Sequence, residues 1–153
     1  MKTHNIITSN DPFQLNRFLT AQGAIYDRVL KELKSGYKRS HWMWYIFPQL
    51  DGLAKSATSK YYAIKSIEEA QAYLNHSILG TRLLECTNLV YGIEGKTVSD
   101  IFGYPDDLKL QSSMTLFSRV TTDSIFVRVL DKYFHNQADT NTLQLLEQLK
   151  PTS

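Results

Sequence analysis

The run Lys38-Arg39-Ser40-His41-Trp42-Met43-Trp44 gathers cations, an imidazole and both tryptophans of the chain into one short stretch. An arginine offers a rigid, bidentate fork to a phosphate or carboxylate, and an indole face stacks on a planar base. Arg39, His41, Trp42 and Trp44 are therefore candidate binding residues for an anionic, planar molecule. A plainer reading competes: Trp42, Met43, Tyr45, Ile46 and Phe47 form core, while Lys38 and Arg39 are solvated. Successive helical residues turn about 100° apart, so one pocket cannot receive every side chain of a helical run.

A second polar constellation is Asp107, Lys109, Ser112 and Ser113. On a helix, Lys109, Ser112 and Ser113 share one face at i, i+3 and i+4, with Leu110, Met114 and Phe117 turned to the core. Paired serines bring no helix-propensity advantage over Ala or Leu, so a polar patch held there invites a functional reading. Lys109 would neutralise an anionic group and the serines would orient the ligand. Asp107 would be the catalytic residue, a general base or the stabiliser of a cation developing at a sugar carbon. The plainer reading makes the serines a close-packing surface, Lys109 exposed and Asp107 a cap favoured by the helix dipole.

Other chemistries find less support. His4, His41, His76 and His135 are the four histidines, none at i, i+4 from another, and a Cys-x-x-Cys pair is absent, so a dedicated metal site is not expected. Ser112 and Ser113 lack a nucleophile-elbow context. Cys86, the one cysteine, has Leu83, Leu84, Leu89 and Val90 nearby and reads as a buried thiol, although Arg82 lies one turn earlier. Phosphate-loop and dinucleotide-binding glycine patterns are missing, and no cofactor is required. Arg28, Lys31, Lys34, Lys38 and Arg39, interrupted only by the acid Glu32, resemble a phosphate-contacting face. With 17 basic against 15 acidic residues and a net charge of +2, nucleic acid is a disfavoured partner.

These residues need a scaffold. The chain has 153 residues, 42% of them hydrophobic and 21% charged, the balance of one soluble globule spanning 1–153. A lone cysteine excludes a disulfide-stapled scaffold. The longest apolar run, Trp42 to Phe47, is far short of the ~20 residues of a membrane span, and the first ten residues lack a signal-peptide core. A cytoplasmic protein with no membrane partner is expected; its oligomeric state is open.

Helical spacing recurs along the chain. Asp11-Pro12 reads as a cap and first helical position ahead of Phe13, Leu15, Phe18 and Leu19. Ile25, Val29, Leu30 and Leu33 follow, with Gly36 as a stop. His41 to Phe47 reads as a short buried helix ended by Pro48, with a strand as the alternative. Asp51 to Lys60 reads as loop. Ser66 to Glu69 forms a capping box, and Thr97 caps a single turn. Asp106 or Asp107, Asp123, and Asp139 or Thr140 open the last three helices. The expectation is an all-α, single compact domain of about seven helices.

The stretch Gly36 to Leu50 resembles the opening signature of a bacterial family, domain of unknown function 1810. The resemblance extends to Asp11-Pro12-Phe13, Gly52-Leu53, Glu69-Ala70, Leu79-Gly80, Arg82-Leu83, Asp107, Lys109-Leu110 and Ser112 to Phe117. It implies a small, mainly α-helical domain with no settled activity. Some members carry a calpastatin label, which does not suit a folded chain of this composition. The aromatic and polar helical make-up is also similar to a superfamily linked to NAD and ADP-ribose, whose members cleave N-glycosidic bonds. The leading expectation is a domain that binds or hydrolyses a phosphorylated or nucleotide-like small molecule. The alternative is a non-catalytic protein- or nucleic-acid-interaction module. The first requires both polar segments to reach one cleft.

Overall fold

The computed structural model describes residues 11–150. Ten helices occur among them: α1 Asn16–Gly23, α2 Tyr26–Ser35, α3 Met43–Ile46, α4 Ala57–Tyr62, α5 Ile67–Asn75, α6 Leu79–Gly92, α7 Val98–Phe102, α8 Asp106–Ser118, α9 Ile125–Phe134 and α10 Thr140–Leu149. The only ladder element among the described residues is an isolated parallel bridge between Leu50 and Ile64. The domain is thus all-α, with more helices than the seven expected. His4 lies outside the described residues.

The difference comes from short helices that hydrophobic period cannot reveal. Residues 51–60 read as loop, yet Ser56 accepts a hydrogen bond from Ser59 N–H and starts the six-residue α4. A helix that short completes under two turns, too few for an apolar stripe to repeat. α7, by contrast, is the single turn expected after Thr97: it has five residues and is fixed by a full capping box between Thr97 and Asp100. The first helix also begins later than Asp11-Pro12 suggests. Asp11 does cap it, accepting from Leu15 N–H at 2.7 Å and Asn16 N–H at 3.0 Å, but across an intervening turn.

α8 lies at the centre and packs against α3, α5, α7, α9 and α10, while α6 packs against α2, α3, α5 and α9. From Leu110 to Phe117 only Gln111 escapes full burial. A helix enclosed on all sides needs small or apolar residues all round, which is what Ser112, Ser113 and Thr115 supply among the large ones. The four-residue α3 is the second hub, touching α1, α4, α6 and α8. Trp42, Met43, Ile46 and Phe47 are accordingly buried. Trp42, Phe47 and Phe102 form an aromatic cluster with centroid separations of 6.2 to 6.4 Å.

Two polar devices lock this packing. The Arg17 guanidinium donates to the carbonyls of Phe13, Gln14, Tyr61 and Ala63 and pairs with Glu69 at 2.6 Å, tying α1 to the α4–α5 connection. Ser66 caps α5 through Glu69 N–H, but the Glu69 carboxylate turns to Lys65 N–H and Arg17. The expected capping box is therefore half formed: one carboxylate oxygen takes the backbone donor of Lys65, the residue before Ser66, and the other takes the Arg17 cation. α5 and α6 approach so closely at Gly80 that a Cβ there would lie 1.9 Å from the Leu74 carbonyl oxygen.

Candidate ligand site

The signature segment is organised by an acid. Glu32 shares the inward face of α2 with Val29 and Leu33 and is 7% exposed. Gly36, at φ 77°, ends α2 in the left-handed conformation and turns the chain back over this carboxylate. Glu32 Oε1 accepts from Arg39 N–H at 2.8 Å, Ser40 N–H at 3.0 Å and Trp42 Nε1–H at 2.9 Å; Oε2 accepts from the Ser40 hydroxyl at 2.6 Å. Burial pushes this carboxyl up, but the donors of Ser40, Arg39 and Trp42 outweigh it and bring the pKa to about 2. The carboxylate therefore stays ionised and sets the path of residues 39–42.

That path delivers Lys38 to the start of α8. Lys38 N–H donates to the Ile101 carbonyl at 2.8 Å, and its ammonium donates to the Ser40 carbonyl. Lys38 Nζ also pairs with Asp106 Oδ2 at 2.7 Å and lies 4.9 Å from the Trp42 ring centroid. Lys109, one turn along α8, pairs with Asp106 Oδ1 at 3.2 Å and holds its Nζ 4.3 Å from the Trp44 ring centroid. Each oxygen of Asp106 thus meets one ammonium. Burial raises the Asp106 pKa, but the hydrogen bond and charge of Lys38, then those of Lys109, prevail and lower it. Asp106 is a weak base here. Lys38 is nearly enclosed, whereas the Lys109 side chain is 23% exposed. With three donors on its ammonium, Lys109 can meet a second anion.

Trp44 is half-buried and also forms one wall of a narrow cleft with Gln49, Leu50, Asp51, Leu53 and Tyr62. The cleft offers about 10 Å³, enough for one water-sized group. Gln49 is 6% exposed, and its Nε2 has no hydrogen-bond partner. A buried amide donor left unpaired costs about 1–3 kcal/mol, so an acceptor atom entering the cleft would be well received.

The candidate residues divide accordingly. Trp44 and Lys109, from the two separate motifs, come into contact. Trp42 does not form a ligand wall: it is 1% exposed and bonded to Glu32, because α3 is a packing hub. Arg39 is exposed with its guanidinium 5.3 Å from the Tyr37 ring centroid, so Lys38 rather than Arg39 reaches the cluster. His41 is exposed, and its carbonyl accepts from the Tyr45 hydroxyl. Asp107 is half-buried, and its carboxylate accepts from Leu108 N–H; Lys109 pairs instead with Asp106, three residues away. Ser112 is buried and bonded to the Leu108 carbonyl, and Ser113 is fully buried with no partner for its hydroxyl. The serines sit inside the enclosed helix and not on an open polar face.

Sequence reasoning left Glu32, Asp106 and Gln49 out of the site. Glu32 carried a readable signal, since it falls between Val29 and Leu33 on the apolar face of α2, where a charge must find partners. Gln49 carried none. Among the described residues there is no group of three or more His, Cys, Asp or Glu able to hold a metal ion. No helix among them is long and apolar enough to cross a membrane.

Comparison with known proteins assigns a family and no activity. The family described as a protein of unknown function (DUF1810) matches residues 12–146. The crystal structure of the conserved hypothetical protein Rv1873 from Mycobacterium tuberculosis is similar, with 53% sequence identity and a TM-score of 0.89. The match covers 90% of this chain and 99% of that one. No curated protein matches. An acid-organised signature segment docked on a central helix, together with a family match over nearly the whole length, places this chain in the DUF1810 family.

Proposed function

We propose that the domain binds a small anionic molecule, phosphorylated or nucleotide-like, where the signature segment meets the start of α8. The observation that carries this reading is Lys109 Nζ held 4.3 Å from the Trp44 ring centroid, with the Gln49 cleft on the same indole. An ammonium beside a half-exposed indole suits an anion attached to a planar group, and Gln49 would donate to an acceptor atom of the ligand. Lys38 holds Asp106, which in turn holds Lys109, so the cation stands in place before a ligand arrives.

Hydrolysis, including N-glycosidic cleavage of an ADP-ribose-type compound, asks more of the acids. Asp106 is neutralised from both sides, which leaves Asp107 as the carboxylate available to stabilise a developing cation. The test is thermal shift with AMP, ADP-ribose and ribose 5-phosphate on the wild type, Lys109→Ala and Trp44→Ala. Stabilisation of the wild type that both variants lose supports the reading. No shift with any of the three, or shifts that survive in both variants, refutes it. Release of free base from ADP-ribose-type compounds, lost in Asp107→Asn, would extend the reading to catalysis.

A further inference from the structure

Apart from this site, the surface carries one charged feature with a distinctive neighbourhood. Arg28, Lys31 and Lys34 are all exposed along α2, and Arg28 and Lys34 lie about 9 Å apart along its axis. None forms an ion pair among the described residues. In the sequence, Glu32 lies among these cations. In the fold it is turned inward and fully engaged by Arg39, Ser40 and Trp42, so it does not neutralise them. The row continues with exposed Arg39 and Lys96. Three exposed acids border it: Asp27 at the start of α2, Glu85, which accepts from the Tyr26 hydroxyl at 2.6 Å, and Glu94, which is already paired with Lys132 at 2.9 Å.

Beside this row runs a groove of about 470 Å³, whose lining includes Leu33, Lys34, Leu89, Ile93, Glu94 and Lys96. Leu33, Leu89 and Ile93 make it apolar, and Lys34 and Lys96 give it a net positive edge, since its one acid, Glu94, is paired with Lys132. The ends of α2 and α6 meet here, and their carbonyl dipoles would repel an anion. Lys96 donates to the Gly36 carbonyl, and Lys132 donates to the carbonyls of Tyr91 and Ile93, which offsets that repulsion. Just past this same end of α2, Tyr37 is 49% exposed, with the Arg39 guanidinium 5.3 Å from its ring centroid.

We infer that this face of α2 is a binding surface for single-stranded nucleic acid. Arg28, Lys31 and Lys34 contact phosphates, the groove receives an unstacked base, and Tyr37 with Arg39 provides a stacking platform. Cations spaced along a track, with aromatic and apolar surfaces between them, match an alternating phosphate and base ligand. A duplex keeps its bases stacked and cannot offer them to Tyr37 or to the groove. The inference does not depend on the Lys109–Trp44 site, and either can fail alone.

The test is fluorescence anisotropy with labelled 12-nucleotide single strands of RNA and DNA. Three phosphate contacts predict that affinity falls about 20-fold between roughly 50 and 200 mM salt. The double variant Lys31→Glu, Lys34→Glu should abolish most binding, and Tyr37→Ala should weaken it at least about fivefold. The charge-matched control Lys55→Glu, Arg128→Glu, at exposed positions elsewhere, should cost far less, with circular dichroism confirming the fold of each variant. No binding at about 50 mM salt overturns the inference, as does equal loss in the control. Equal binding of duplex, or equal competition by polyglutamate, also overturns it, the last by making the face a dock for acidic proteins.

Discussion

Replacing Glu32 by Gln removes one charge from the interior while nearly preserving shape. Oε1 of the new amide can still accept from Arg39, Ser40 and Trp42, and the Ser40 hydroxyl can rotate to accept from the amide nitrogen. What is lost is the charge assistance of those hydrogen bonds. The folded protein holds this carboxyl at about pKa 2 against an ordinary 4.5, a preference for the ionised form of about 3 kcal/mol. Because the folded value is depressed, this stabilisation is fully present above pH 4.5 and is lost as pH falls toward 2. Glu32→Gln should therefore unfold more readily by about 3 kcal/mol at pH 7, a large part of a typical domain's stability. The gap from wild type should close as pH falls from 4.5 toward 2. Urea melts at pH 7, 5, 4 and 3 measure both. A variant within about 0.5 kcal/mol of wild type at pH 7, or a gap that does not change with pH, would show that Glu32 does not organise the signature segment.

Other expectations follow from equally local geometry. Trp42→Ala should cost about 3–5 kcal/mol in a urea melt, whereas Trp44→Ala should cost much less, since Trp44 keeps an open side; equal costs would mean both indoles are core. Gly80→Ala should destabilise by about 1–3 kcal/mol, read as a lower melting temperature, because its methyl would meet the Leu74 carbonyl; an unchanged melt would refute that close approach. Burial pushes the Cys86 thiol up to about 12, against smaller opposing influences from Tyr26 and Arg82, so Ellman's reagent should label it only after denaturant is added. Rapid labelling of the native protein would place it at an accessible surface.

How much of this was legible beforehand depends on length and partnership. The long helices announced themselves through spacing, and Ser66, Thr97 and Asp139 marked the starts of α5, the short α7 and α10, each accepting the backbone donor expected of a cap. The short α4 did not, since two turns hold no repeat. The burial of α8 was also hidden. Its Lys-x-x-Ser-Ser pattern reads as a polar stripe, and only the helices packed around it decide that Ser112 and Ser113 lie inside. That the signature segment and the start of α8 must meet was legible as a requirement of the binding hypothesis. That they meet through Asp106, held by Lys109 on one oxygen and Lys38 on the other, was not, because adjacent Asp106 and Asp107 or Lys38 and Arg39 are equivalent in a sequence and point differently on a helix or an extended segment.

The central claim is that Trp44 and Lys109 frame an open site while Trp42 is sealed against Glu32. The two indole N–H signals in a proton–nitrogen NMR spectrum report on it directly. Titration with ADP-ribose, AMP or ribose 5-phosphate should shift the Trp44 signal and leave that of Trp42 in place and slow to exchange, and Lys109→Ala should remove the response. A Trp44 signal that ignores all three ligands, or one that responds equally without Lys109, would contradict the account.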